Sequence, residues 1–191
     1  MIKNNYFKNI FIFLNSIDEI IKLNILKNKN INLIYEDQNL DCQNFLNIKN
    51  FCRKFNIKLF ILDNYKNAIK SKVNGIVLSH FNKKKMYLGN PLSRIKKFEI
   101  IGKSHNQLEY YFKIRQKCSK IIISPIFFTK KYSQSSILNI QKYNLLTKNW
   151  LIPKYALGGI NFNNLKKVRM TNSEGIAIKS LIKQDRFRKI S

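Results

Sequence analysis

Nowhere in its 191 residues does this chain hold the roughly 18 consecutive apolar residues that a spanning helix needs, so no membrane segment is expected. The start, MIKNNYFKNIFIFLN, has a basic lead, but its apolar run Ile10–Leu14 is too short for a signal sequence. No small-residue cleavage site follows, and the run reads as a first buried strand. Cysteine is scarce: Cys42, Cys52 and Cys118 are odd in number and show no CxxC spacing. That argues against a disulfide framework and a zinc site. It argues for a reducing, cytoplasmic setting in which each thiol is a small buried apolar group. RRM, KH, zinc-finger and Gly-Arg signatures are all missing, as are internal repeats and linkers. Acidic residues are few, 10 against 36 Lys and Arg, which gives a formal charge of +26. Such an excess invites a nucleic-acid reading, because basic surfaces release counterions from phosphates. The excess is mostly Lys, spread along the whole chain beside an equally general surplus of Asn and Ile. It therefore reads as compositional drift over a solvated surface, and no specific nucleic-acid partner is expected. Anionic small molecules would still be attracted.

What is present is a globular composition, 45% hydrophobic and 13% aromatic. A chain of this length is read as one domain over residues 1–191, able to bury roughly 70% of its unfolded surface. Eight short apolar runs recur at fairly even spacing: Ile10–Leu14, Ile31–Tyr35, Ile57–Leu62, Gly75–Leu78, Phe98–Gly102, Lys120–Ser124, Ile152–Ala156 and Gly175–Ile178. Most are continuous rather than alternating, as strands buried on both faces are. Between them lie amphipathic stretches at Ser16–Asn28, Asp41–Phe55, Asn64–Lys72, Asn106–Lys117, Ile137–Lys148 and Phe162–Met170. The fourth unit is the weakest, with Gly89-Asn90-Pro91 before a short stretch at Leu92–Lys96. Eight strand–helix units require a parallel sheet with right-handed crossovers, and close most simply into a compact α/β fold, the (β/α)8 TIM barrel. An open doubly wound sheet is the alternative.

In such a barrel the chemistry sits at the carboxyl ends of the strands. After the sixth run comes Ser124-Pro125-Ile126-Phe127-Phe128-Thr129-Lys130-Lys131, whose hydroxyl and two lysines suit an anion or, equally, an exposed turn. After the seventh, Gly158-Gly159 leads toward a helix. Two glycines there let backbone N–H groups approach a phosphate, or simply serve a turn with positive φ. After the eighth, Ser180 stands as an N-cap. His105 follows Ser104 at the rim and reads as polar surface or a helix cap, though an imidazole there can act as an acid or base.

The stretch Ile100–Ile182, with IIGKSHNQLE, IIISPIFFTKK, IPKYALGGIN and EGIAIKSLI, resembles the thiamine phosphate synthase and thiazole tautomerase family. Upstream, LFILDNYKNAIKSKVNGIVLS is similar to the family's third and fourth strands, whereas the first 56 residues match only in rhythm. The resemblance implies a transferase of thiamine biosynthesis that joins an aminopyrimidine methyl diphosphate to a thiazole phosphate and releases diphosphate, with Mg²⁺ on the diphosphate. Its partners would be these phosphorylated small molecules. By the same resemblance Asp63 is the metal ligand, Ser104 and Lys131 are catalytic, and Thr129, Lys130, Gly158, Gly159 and Ser180 bind substrate phosphate. Three departures stand out. The family's Gln-x-Arg-x-Lys after strand two is Tyr35-Glu36-Asp37-Gln38, without a cation; it reads as a solvated loop or, alternatively, a replacement metal carboxylate. The Asn before the metal Asp is Leu62, and the second metal Asp falls near Asn82. Pro125 stands where the tautomerase branch carries a catalytic His, which weakens that reading. A non-catalytic phosphate-binding barrel is the alternative of a different class.

Overall fold

The computed structural model describes residues 7, 9–16, 30–36, 42–83, 98–130, 132–161 and 163–179. Eight parallel strands close into a barrel in sequence order: β1 Asn9–Leu14, β2 Ile31–Tyr35, β3 Lys58–Leu62, β4 Gly75–Leu78, β5 Glu99–Ser104, β6 Lys120–Ile123, β7 Lys154–Leu157 and β8 Gly175–Ile178. Ile10 pairs with Ile31 on one side and Ile176 on the other, which closes the ring. The eight-stranded barrel expected from the apolar rhythm is the fold found, rather than an open sheet.

The continuous apolar runs follow from a strand having two buried faces. One face of each strand fills the barrel. Phe11, Phe13, Ile34, Phe60, Val77, Ile101, Ile122, Tyr155, Leu157 and Ala177 form one interior cluster, with Leu62 against it. Phe11 sits edge-on to Tyr155, ring centroids 4.8 Å apart, and to Phe60 at 5.9 Å. The other face, with Ile10, Ile12, Leu14, Leu33, Ile61, Ile76, Ile121 and Ile123, packs under the helices. Each large side chain so buried contributes about 1.5–3 kcal/mol relative to exposure.

The described helices are α1 Cys42–Lys54, α2 Tyr65–Lys70, α3 Gln107–Arg115, α4 Asn139–Thr147 and α5 Leu165–Val168, with a 3₁₀ turn at Gln134–Ser136. None is long and apolar enough to cross a membrane. The abundant asparagines find local use. Asn64 caps α2 by accepting from the Asn67 N–H at 3.1 Å, and Asn106 caps α3 by accepting from the Glu109 N–H at 2.9 Å.

Several expectations are corrected. The helix expected over Phe162–Met170 shrinks to α5. Asn161 Oδ1 accepts from the N–H groups of Asn163 and Asn164, so the side chain competes with the first helical turn. β5 runs on to Ser104, two residues beyond Gly102. Cys52 and Cys118 are buried, each thiol pushed by burial up to about 12, but Cys42 is exposed at the start of α1. The first helix, expected over Ser16–Asn28, falls mainly outside the described residues, as do Gly89-Asn90-Pro91 and Leu92–Lys96.

Candidate functional site

The carboxyl rim is built by the turns after each strand. After β3, Asp63 adopts φ of 51°, a left-handed backbone that Asp tolerates better than most residues. Its N–H donates to Val77 O at 2.8 Å. Its Oδ1 accepts from the Ser79 N–H at 2.9 Å and from Asn82 Nδ2 at 3.0 Å. The turns after β3 and β4 are thus tied together through one carboxylate oxygen. Beneath them Lys113 of α3, fully buried, donates to Ser79 O, Asn82 O and Gln116 Oε1 at 2.6, 2.7 and 3.0 Å. Gln116 Nε2 donates to the same Asn82 carbonyl at 3.0 Å. Desolvation holds the Lys113 ammonium below its ordinary range.

Among the described residues no group of three or more His, Cys, Asp or Glu is placed to hold a metal ion. The donor chemistry nonetheless fits Mg²⁺ in its common mode, in which one or two carboxylates bind an ion carried largely by substrate phosphates. Asp63 offers Oδ2 for that, its Oδ1 being engaged.

After β5, Ser104 is fully buried and its hydroxyl donates to Asn106 O at 2.9 Å. His105 is half-buried. Its N–H donates to Glu109 Oε2 at 2.6 Å, and its ring Nδ1 is bonded to the Ser124 carbonyl, which places a proton on Nδ1. Nε2 of His105 and Nδ1 of His80 are buried without a partner among the described residues, and the two rings meet edge to face at 4.3 Å. Burial first, and the neighbouring His105 second, hold His80 below the usual imidazole range. The cap of α3 is Asn106, so His105 is neither cap nor plain surface.

The loop after β6 is knit to the turn after β7. The Ser124–Pro125 bond is cis. Ile126 N–H donates to Leu157 O at 3.0 Å and Phe127 N–H to Gly158 O at 3.1 Å. Gly158 and Gly159 have φ of 97° and 66°. A Cβ on Gly159 would lie 2.4 Å from Phe128 O, and one on Gly158 2.9 Å from Pro125 Cα. Both glycines are therefore required by the backbone conformation and by the sixth loop's close approach. Next to Phe128, Thr129 Oγ1 is buried with no partner among the described residues, while Lys130 is exposed. Lys131 and Ser180 fall outside the described residues. The register Leu157↔Ala177 sets the end of β8 beside the Gly-Gly turn on the same rim.

The loop after β2 differs from its sequence reading. Glu36 is not solvated: its side chain is 9% exposed and ion-paired with Lys179, just past β8. Asp37 and Gln38 fall outside the described residues. Ile34, Leu62 and Val77 make the layer below apolar. Sequence reasoning missed Lys103 and Lys179. For Lys103 strand alternation was the available signal: Ile101 faces the interior, so Lys103, two further along β5, does as well, whereas Lys179 lies one residue past β8 and is placed by its pair with Glu36. The Lys103 ammonium lies 5.0 Å from the centre of the Phe13 ring.

The likeness to solved proteins runs over most of the chain. Thiamine phosphate pyrophosphorylase from Pyrococcus furiosus superposes with a TM-score of 0.72 at 16% identity, over 96% of this chain and 95% of that one. The YdjI aldolase from Escherichia coli K12 gives 0.62 at 11% identity, over 93% and 77%. At such identities the likeness concerns the barrel alone. In sequence, the chain is 29% identical over 144 residues to a thiamine-phosphate synthase of Flavobacterium psychrophilum, covering 72% of this chain and 68% of that protein. It is 28% identical over 139 residues to one of Prochlorococcus marinus (strain AS9601), covering 72% and 39%, and 30% identical over 136 residues to one of Clostridium tetani, covering 71% and 64%. The chain thus spans less than two thirds of the length of the second and third of these. A family model described as thiamine monophosphate synthase matches residues 14–182, nearly the whole barrel, and on that match the chain belongs to the thiamine monophosphate synthase family.

Proposed function

We propose that this protein joins an aminopyrimidine methyl diphosphate to a thiazole phosphate and releases diphosphate. The observation that carries the reading is the Thr129 hydroxyl, buried and without a partner among the described residues, next in sequence to the segment that packs on the Gly158-Gly159 turn, a donor at the rim where the phosphate is expected. In the reaction the thiazole nitrogen forms a bond to the pyrimidine methylene carbon as the carbon–oxygen bond to diphosphate breaks. The electron pair leaves with the diphosphate, so no enzyme nucleophile is required. Binding both partners side by side supplies most of the advantage. Thr129, Lys130, Gly158 and Gly159 hold the thiazole phosphate in this reading, together with Ser180. Ser104 and Lys131 are the catalytic residues of this reading. Asp63 would hold a Mg²⁺ ion carried on the diphosphate, where its charge makes that group a better leaving group.

The decisive experiment incubates the chain with both phosphorylated precursors and Mg²⁺ and looks for the coupled product. Asp63→Asn should reduce turnover by about 100-fold or more while thiazole phosphate affinity stays within about twofold. Unchanged turnover in that variant would refute the metal assignment. A second reading, a barrel that binds phosphorylated ligands without turnover, is favoured by the apolar layer of Ile34, Leu62 and Val77 and by Glu36 in the mouth. It expects thiazole phosphate, but not the pyrimidine diphosphate, to raise the melting temperature, with no product formed.

A further inference from the structure

We infer that Lys103 and Lys179 form a two-lysine anion grip over the end of β1, supplying from strands five and eight the positive charge that the loop after strand two lacks. Alternation turns Lys103 of β5 into the barrel mouth, one layer above Ile101 of the interior cluster, while Lys179, one residue past β8, stands at the rim in its pair with Glu36. In the ring order β5 faces β1, and Lys103 crosses the mouth to stand 5.0 Å from the centre of Phe13, a β1 residue. Lys179 follows β8 and Glu36 follows β2, the two strands that flank β1, so their ion pair closes above the same strand. Two ammonium groups therefore converge from opposite walls on one part of the rim. A ligand group with two or more negative charges matches that pair, and a diphosphate is the class it fits. For the identity of that ligand this inference rests on the transferase reading.

Glu36 gives the site its tuning. Its carboxylate is 9% exposed, but the Lys179 side chain is 61% exposed. With most of its side chain in water, Lys179 can reach toward a phosphate oxygen as well as toward Glu36. Glu36 then competes with the ligand for Lys179, so removing its charge should strengthen anion binding rather than weaken it. A purely structural ion pair predicts the reverse.

The test is calorimetric titration of inorganic diphosphate, with Mg²⁺ absent, into the full chain and its variants. Lys103→Met and Lys179→Met are each expected to weaken binding roughly tenfold or more, and the Lys→Arg changes to restore most of it. Glu36→Gln should tighten binding severalfold. Lys148→Met, on an exposed residue just past α4, should leave it unchanged. Equal binding by all variants, or a loss in Lys148→Met as large as in the other two, would overturn the grip. So would a wild-type chain that ignores diphosphate yet is stabilised by thiazole phosphate, an outcome that leaves the phosphate-cradle reading standing. Conversely, the expected diphosphate pattern without any coupled product would uphold the grip and defeat the transferase reading.

Discussion

Glu99 and Lys113 show how single charged residues are accommodated in this barrel, at opposite ends. At the amino-terminal end, Glu99 of β5 bridges Lys58 of β3 at 2.5 Å and also pairs with Lys120 of β6. Burial alone would raise its carboxyl, but hydrogen bonds from Lys120 and Lys58 outweigh this and hold it below the ordinary range of a glutamate carboxyl. A carboxyl depressed in the folded state stabilises the fold fully above its unfolded value. That contribution fades as the pH falls through the lower, folded value. Urea denaturation of wild type should therefore lose stability below about pH 4.5 more steeply than Glu99→Gln, which should already be weaker by about 1 kcal/mol at pH 7. Parallel profiles would show that the ion triad contributes nothing. Lys113 was invisible as a buried residue in the sequence, where it is one lysine among many. Its burial is set by the approach of α3 to the turns after β3 and β4, a tertiary fact that no local pattern encodes.

Among the elements, the strands were the most legible because burial on both faces leaves uninterrupted Ile, Phe and Leu runs that hardly depend on context. Their ends were read less well: β5 continues through Lys103 and Ser104, polar residues that pair as strand although they end the apolar run. The helix after β7 was overestimated because asparagines there satisfy the backbone locally. In the candidate site, Gly158-Gly159 and the sixth loop were readable from residue type, whereas their mutual hydrogen bonds were not. These two turns behave as one unit. Gly159→Ala would place a methyl 2.4 Å from Phe128 O at a φ of 66°. The expected cost is about 2 kcal/mol or more, seen as a melting temperature lowered by several degrees, together with at least tenfold weaker thiazole phosphate binding. A variant with wild-type melting temperature and affinity would refute the coupling between the turns.

For the whole molecule, the excess of 36 basic over 10 acidic residues is a field rather than a site. It should draw polyanions to the surface at low ionic strength. Fluorescence anisotropy with a random oligonucleotide is expected to show binding that falls by about 10³-fold or more between 50 and 200 mM salt. Tight binding that survives near-physiological salt would instead favour a dedicated nucleic-acid surface. In the proposed reading the field brings phosphorylated ligands toward the barrel, and the rim decides where they stay. The account depends most on the rim turns after β6 and β7 holding a phosphate. A titration of thiazole phosphate into isotopically labelled protein, followed by amide NMR shifts, tests this directly. The largest shifts are expected at Thr129, Gly158 and Gly159. Shifts confined to other parts of the chain, or none at saturating ligand, would contradict it.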